Sequence, residues 1–243
     1  MNILCIGNSF SEDATAYLQA VSSHELYVRN LAIGGCSLER HYNNIVENIV
    51  DYGYEEDAVS IKISSIAEAL KEREWDFITL QQVSHYSGII DTYEPFLGEI
   101  VKYLNKECPS AKLVLHRTWA YDERSDHGGF ASYDRDRKKM YNAIVSTTKE
   151  IASRYGFDII PCGDAVELAS ALPEFGKGAE LCIHRDGFHL SLDYGRYLVA
   201  LVMYRYFTGK SAAQVEFEPQ GTDKEINQKL KECADRAFDE LVK

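Results

Sequence analysis

Residues 3–11 read I-L-C-I-G-N-S-F-S, and this stretch decides the fold that the rest of the chain follows. Its four apolar residues predict a buried strand, which ends at Gly7 and Asn8. The chain then enters a helix, and Ser9 stands at the turn between the two elements. A strand that turns directly into a helix is typical of parallel α/β sheets, which bind ligands at the carboxyl ends of their strands. The stretch therefore predicts an α/β protein with Ser9 at the ligand-binding edge of its sheet.

The same alternation of strand and helix continues along the chain. Apolar strands are predicted at residues 2–6, 26–32, 77–82, 112–116 and 157–160, each followed by a helix. Ser11 is predicted to cap the first helix, over 12–23, and residues 38–52 form the second. Residues 55–64 are predicted as a short excursion at the sheet edge. The pattern predicts a single domain over residues 1–243, with about five parallel strands covered by helices on both faces.

Composition and charge favour a globular protein with a small-molecule partner. Apolar residues make up 45% of the chain, enough for a full core, and the net charge of −12 disfavours nucleic acid or an anionic membrane as a partner. The sequence has no basic leader and no apolar run near the roughly 20 residues that span a bilayer. Six scattered cysteines lack a C-x-x-C pair. These features predict a cytoplasmic protein that binds neither nucleic acid nor membrane, and they leave its oligomeric state open.

A second short motif, D-G-F-H at residues 186–189, can supply what a reactive serine needs. A serine hydroxyl requires a base to take its proton, and that base requires a third group to orient it. Ser9, His189 and Asp186 could fill these roles. Two alternatives remain open, since Ser9 could be a helix cap or part of a phosphate-binding turn, and D-G-F-H could be a turn before a helix capped by Ser191. The combination of both motifs in one α/β chain favours the triad.

Polar and aromatic residues follow the ends of other predicted strands and therefore share the predicted edge. They are Gly35, Gln81, Gln82, His116 and Arg117. Just beyond them, Trp119 is a candidate for stacking on a sugar ring, and Arg117 is a candidate for binding a carboxylate. The alternative is a loop packed by its own aromatic residues.

These motifs resemble the SGNH, or GDSL-like, hydrolase superfamily over nearly the whole chain. Its nucleophile lies in a G-D-S or G-N-S block after strand one, which matches Ser9, and its D-x-x-H motif matches Asp186 and His189. The stretch N-L-A-I-G-G-C-S at 30–37 resembles the second block and implies Gly35 as an oxyanion donor, with Ser9 itself. The resemblance implies a flavodoxin-like three-layer α/β/α sandwich with strand order 2-1-3-4-5. Within the superfamily, I-G-N-S-F-S, W-D-F-I-T-L-Q-Q and T-W-A-Y resemble a little-characterised bacterial branch of esterases.

The third block departs from the superfamily pattern, which is usually G-x-N-D. Residues 80–88 read L-Q-Q-V-S-H-Y-S-G and contain no asparagine. A glutamine side chain offers the same N–H donor, so Gln81 or Gln82 is the expected third donor to the oxyanion. Gapless counting instead places His85 near the asparagine position. Asn8 replaces the aspartate of G-D-S and can still hold the turn.

The resemblance implies a serine esterase that removes small acyl groups, acetyl above all, from a carbohydrate through an acyl-enzyme. No organic cofactor is implied, and no metal is predicted, because a catalytic zinc site needs more ligands than this sequence places together. Residues expected to contact the substrate are Asn8, His85, His116, Arg117 and Trp119. Three alternatives remain: a lipase or thioesterase with the same triad, a catalytically silent binding module of the same fold, and a flavodoxin-like protein that binds an anion or nucleotide.

Overall fold

A mostly parallel β-sheet forms the middle layer of the molecule. The computed structural model describes residues 1–176 and 178–241, and within them the sheet has seven strands in the order β4-β3-β2-β1-β5-β6-β7. The strands are β1 (Asn2–Gly7), β2 (Tyr27–Ala32), β3 (Tyr52–Glu56), β4 (Val59–Ser64), β5 (Phe77–Leu80), β6 (Lys112–His116) and β7 (Asp158–Ile160).

Helices cover both faces of this sheet, as the sequence predicts. They are α1 (Ser9–Thr15), α2 (Leu18–Val21), α3 (Leu38–Val46), α4 (Ile66–Glu72), α5 (Phe96–Glu107), α6 (Arg137–Tyr155), α7 (Cys162–Ser170), α8 (Tyr194–Thr208) and α9 (Lys224–Leu241). Successive side chains of a strand point to opposite faces, so β1 contributes to two cores. Ile3 and Cys5 pack with α1, α7, α8 and α9, whereas Leu4 and Ile6 pack with α3, α4 and α5.

The predicted five-stranded sheet with order 2-1-3-4-5 is wrong for the sheet as a whole. The additional strands, β3 and β4, form a hairpin that pairs antiparallel with β2 and extends the sheet beyond it. The predicted second helix ends at Val46 instead of continuing to residue 52. Tyr52 and Tyr54 are both fully buried and lie two positions apart, on the same face of the chain. This spacing of buried residues indicates a strand.

The parallel strands bring four distant parts of the chain to one edge. In the pairing register, Gly7 lies opposite Ala32, Ile6 opposite Leu80, and Leu80 opposite Leu115. The loops that follow β1, β2, β5 and β6 therefore leave the sheet side by side.

In the described part of the chain, no helix combines the length and the apolar character needed to cross a membrane.

Candidate active site

The turn after β1 places Ser9 at the first position of a helix. Asn8, rather than the predicted Ser11, caps α1: its Oδ1 accepts a hydrogen bond from the Phe10 N–H at 3.0 Å. The Ser11 hydroxyl donates instead to the Asn8 carbonyl, at 2.8 Å. A Cβ atom at Gly7 would lie 2.5 Å from Ser11 Oγ, so the turn can close this tightly only around a glycine. Ser9 is left half-buried, with its side chain at the edge of the sheet.

A buried chain of side-chain hydrogen bonds braces this turn against the neighbouring strands. Asn8 Nδ2 donates to the Cys36 carbonyl at 3.1 Å, and Asn8 Oδ1 accepts from Gln81 Nε2 at 2.8 Å. Gln81 Oε1 in turn lies 2.7 Å from His116 Nδ1. Because an amide oxygen can only accept, His116 must carry its proton on Nδ1. Burial lowers the pKa of His116 to about 3, so the imidazole is neutral and the chain of bonds is complete.

The three residues of the predicted triad lie within hydrogen-bond distance of one another. His189 Nε2 is 2.9 Å from Ser9 Oγ, and His189 Nδ1 is 2.6 Å from Asp186 Oδ2. When its Nδ1–H donates to the Asp186 carboxylate, the neutral imidazole presents an unprotonated Nε2 to the serine hydroxyl. The arrangement can transfer a proton from Ser9 to His189 while Asp186 holds the ring in place.

Asp186 is tied to its own turn as well as to the imidazole. Its Oδ1 accepts from the backbone N–H groups of Phe188, at 3.1 Å, and His189, at 2.7 Å. Partial burial raises the pKa of Asp186, but the hydrogen bonds from the His189 imidazole and from these two backbone groups outweigh it. The pKa of Asp186 is therefore lower than that of an ordinary aspartate, and the carboxylate is charged at neutral pH.

Asp13 connects the histidine loop to the helix that carries the serine, a role that the sequence did not suggest. Its fully buried carboxylate accepts from the Leu190 backbone N–H at 2.9 Å. It is also paired with Arg185 at 2.9 Å and with Arg196 Nε at 2.8 Å. Leu190 directly follows His189, and Asp13 lies one helical turn beyond Ser9. The distance between nucleophile and base is thus set within a single structural unit.

A cavity of about 280 Å³ opens beside Ser9 and His189. Its lining residues are Asn8, Ser9, Phe10, Gly34, Gly35, Val83, Ser84, His85, His127, Phe188 and His189. Gly35 has a φ of +65°, and a Cβ atom there would contact nothing, so its backbone faces open space. Within the described residues, the backbone N–H groups of Ser9 and Gly35 make no hydrogen bond. In the same part of the chain, no cluster of three or more His, Cys, Asp or Glu side chains could hold a metal ion.

The expectation that Gln81 or Gln82 is a third oxyanion donor is wrong in this structure. Gln81 braces Asn8 as described above. Gln82 Oε1 accepts from the N–H groups of Leu38, at 3.0 Å, and Val83, at 2.8 Å, while its Nε2 donates to the Thr92 carbonyl at 2.9 Å. Both glutamines are almost fully buried, and neither lines the cavity.

Three of the five predicted substrate contacts, His116, Arg117 and Trp119, are also wrong, because these side chains are buried in the framework. Arg117 Nη1 donates to both carboxylate oxygens of Asp164, at 2.9 and 2.8 Å. The carboxylate neutralises the charge of the guanidinium, which is therefore not available to a ligand. The Trp119 ring stacks on Phe10 with centroids 4.2 Å apart. Asn8 and His85, in contrast, do line the cavity.

Comparison with solved structures defines the class of fold. A protein assigned as an SGNH hydrolase from Slackia heliotrinireducens is 22% identical, with a TM-score of 0.58 over 85% of this chain and 98% of that one. An acetyl xylan esterase, AlAXEase, is 15% identical, with a TM-score of 0.57 over 85% of this chain and 99% of that one. The fold is that of the SGNH, or GDSL-like, hydrolases, in agreement with the resemblance of the motifs.

Within this class, the chain belongs to the family described as "Domain of unknown function (DUF4886)", whose profile matches residues 2–237. A crystal structure of a DUF4886 family protein from Bacteroides uniformis ATCC 8492 is 36% identical, with a TM-score of 0.90. The match covers 98% of this chain and 94% of that one. Among curated proteins, none matches the sequence.

The geometry of the Asp-His turn depends on Gly187, and Gly187→Ala tests this. Gly187 has a φ of +87°, and a Cβ atom would lie 2.8 Å from Ser125 Cα. We expect the free energy of unfolding to fall by more than about 2 kcal/mol, and the hydrogen-bonded Nδ1 proton of His189 to lose its downfield NMR resonance.

Gly221→Ala is the matched control for this substitution. Gly221 has a similar φ of +82°, but its Cβ position is open. This control should lower stability by about 1 kcal/mol and leave the resonance unchanged. Equal behaviour of the two variants would show that the contact at Ser125 does not hold the turn.

Proposed function

We propose that this protein is a serine esterase that hydrolyses small acyl esters through an acyl-enzyme on Ser9. The observation that carries the proposal is the unbroken hydrogen-bond chain from Ser9 Oγ through His189 to Asp186, with spacings of 2.9 and 2.6 Å. A helix-capping serine would have no need of a histidine and a carboxylate behind it. The chain of bonds therefore favours catalysis over the alternative of a silent binding module.

The proposed reaction proceeds through two tetrahedral intermediates. Ser9 Oγ attacks the ester carbonyl while its proton moves to His189 Nε2, and Asp186 stabilises the imidazolium. The first intermediate collapses, the C–O bond to the alcohol breaks, and His189 returns the proton to the leaving oxygen. A water molecule then attacks the acyl-enzyme as His189 takes its proton. Collapse of the second intermediate releases the carboxylic acid and restores the Ser9 hydroxyl.

The oxyanion of both intermediates would be bound by the backbone N–H groups of Ser9 and Gly35. Neither group makes a hydrogen bond to a residue that the structure describes, and both residues line the cavity. Donors that are already in place cost no reorganisation during the reaction, and the loss of one typically lowers turnover by about 10²–10³-fold. The bracing of Asn8 by Cys36 and Gln81 keeps the two loops together.

The size and lining of the cavity favour a short acyl group. A volume of about 280 Å³ shared between acyl and alcohol portions suits an acetyl ester better than a long-chain lipid or thioester. Among the residues that the structure describes, none of the side chains that line the cavity is Lys or Arg, which disfavours the phosphate-binding alternative. An acetyl xylan esterase has the same fold, and this supports an acetyl group on a carbohydrate as the substrate. The proposed partner is thus a small acyl ester, and the reaction as written uses no cofactor.

Substitution of the triad residues tests the proposal directly. Ser9→Ala should lower kcat for acetyl esters by roughly 10⁴-fold or more, because it removes the nucleophile. Asp186→Asn should lower kcat by about 10³–10⁴-fold, because the amide no longer stabilises the imidazolium. Ser110→Ala, at an exposed serine, is the control and should retain full activity. Acetate release by Ser9→Ala at the wild-type rate would show that Ser9 is not the nucleophile.

The value of kcat/KM should fall on the acid side of the pH profile. Histidines change charge between about pH 5 and 8, and a protonated His189 cannot accept the Ser9 proton. The pKa of Asp186 is lowered, so its carboxylate stays charged throughout this range and is neutralised only at more acidic pH. Activity should therefore fall as the pH is lowered, and a flat profile from pH 5 to 8 would contradict the role of His189.

A further inference from the structure

One wall of the cavity is made of rings that contact one another. His85, His127 and Phe188, which we call the ring wall, all line the cavity. The centroids of His85 and His127 are 5.3 Å apart, and those of His127 and Phe188 are 5.1 Å apart. Phe188 in turn lies 4.1 Å from the ring of His189. Tyr86, 4.2 Å from His85 and 40% exposed, continues the rings from the cavity to the surface.

The ring wall is built by two loops that fit closely. A Cβ atom at Gly129 would lie 2.4 Å from His85 Cβ, so only a glycine lets the loop at 128–133 pack this tightly against residues 84–86. The Tyr133 hydroxyl donates to the His85 carbonyl at 3.1 Å and accepts from the Gly88 N–H at 3.1 Å. The rings are therefore held in position before a ligand arrives.

The imidazole of His127 presents a defined hydrogen-bond donor. Its Nδ1 accepts from the Gly129 N–H at 3.1 Å, so in the neutral ring the proton lies on Nε2. That Nε2 makes no hydrogen bond to the described residues. Burial, with the proximity of His189, lowers the pKa of His127, and burial, with the proximity of His127, lowers the pKa of His85. Both rings are neutral at neutral pH.

The described residues that line the cavity include no Asp, Glu, Lys or Arg, and the imidazoles of His85 and His127 are neutral, so the ring wall offers no opposite charge to an ionic group. A charged alcohol would lose its hydration there without compensation. A hydroxylated ring has an apolar face that can stack on aromatic rings and hydroxyl oxygens that can accept from an N–H group.

We propose that the ring wall is the subsite for the alcohol portion of the ester, and that it takes an uncharged sugar ring. The planes of His127 and Phe188 are inclined at 67°, so the sugar face stacks on Phe188 while the edge of the His127 ring faces the sugar. A sugar hydroxyl accepts a hydrogen bond from His127 Nε2. This assignment rests on the proposed esterase function and adds to it the residues that select the alcohol.

Three acetyl esters separate this subsite from the chemistry of the triad. They are a monoacetylated methyl glucopyranoside, the corresponding glucopyranosiduronate and ethyl acetate. The glucopyranosiduronate has a carboxylate in place of the hydroxymethyl group, and ethyl acetate has neither ring nor hydroxyl. For the wild type, kcat/KM measured by acetate release should be at least roughly tenfold higher for the neutral sugar than for its charged counterpart.

Variants of His127 identify the source of this preference. His127→Ala should lower kcat/KM for the neutral sugar ester roughly five- to tenfold, mainly through a higher KM, and leave ethyl acetate within about twofold. His127→Phe keeps a ring but lacks the N–H donor. Its kcat/KM for the neutral sugar ester should fall by less than that of His127→Ala, again mainly through a higher KM. The control is His24→Asn, at an exposed residue with a φ of +62°, which asparagine tolerates. It should change none of the three rates.

Several outcomes would overturn the assignment. Equal losses of activity on the sugar ester and on ethyl acetate in His127→Ala would place His127 in the common chemical step. Unchanged rates in both His127 variants, or equal wild-type rates on the two sugar esters, would show that the ring wall does not select the alcohol. If ethyl acetate hydrolysis persisted in Ser9→Ala, the proposed function itself would fail, and the subsite would fall with it.

Discussion

The buried carboxylate of Asp13 is the interaction on which the site depends. It is fully inaccessible, and it binds the Leu190 backbone together with the side chains of Arg185 and Arg196. An unpaired charge in such a position would cost several kcal/mol, so helix α1 and the histidine loop stabilise each other. Because Ser9 begins the same seven-residue helix, these contacts also hold the loop that carries His189 against the helix that carries the serine.

A second constraint keeps the edge of the sheet in register. Asn8, Gln81 and His116 follow or end three neighbouring strands and are joined by buried hydrogen bonds of 2.7–2.8 Å. In each of these two bonds one atom can only accept, so the bonds fix the orientation of the Gln81 amide and the tautomer of His116. Gln81, which the sequence suggests as an oxyanion donor, thus holds the framework of the site.

The sequence predicted those parts of the site that depend on short, local patterns. The turn at Ser9 and the Asp186–His189 pair each lie within a few residues, and the alternation of apolar strands with helices predicted Ser9 at the carboxyl edge of the sheet. The sequence could not show which way a side chain points at the end of a strand, and so Arg117 and Trp119 were placed in the pocket instead of the core. The sequence indicated an excursion at the sheet edge over residues 55–64, but most of the first strand of this hairpin was missed, because the helix predicted before it extended to residue 52.

Contacts between distant segments were equally beyond the reach of local patterns. Asp13 and Leu190 are 177 positions apart, and nothing in the residues around either one indicates that they meet. The same is true of His85 and His127, which come together only because Gly129 allows their loops to touch. These interactions decide how precisely the serine, the histidine and the ring wall are held, and they become visible only in the folded structure.

The central claim is that Ser9 is a nucleophile activated by His189. The most direct measurement is intact-mass and peptide mass spectrometry after incubation with a fluorophosphonate, which reacts preferentially with an activated serine. We expect one adduct per chain, on the peptide that contains Ser9, and no adduct in Ser9→Ala. Failure of the wild type to react, or attachment of the label to Ser11 or Ser84 instead, would contradict it.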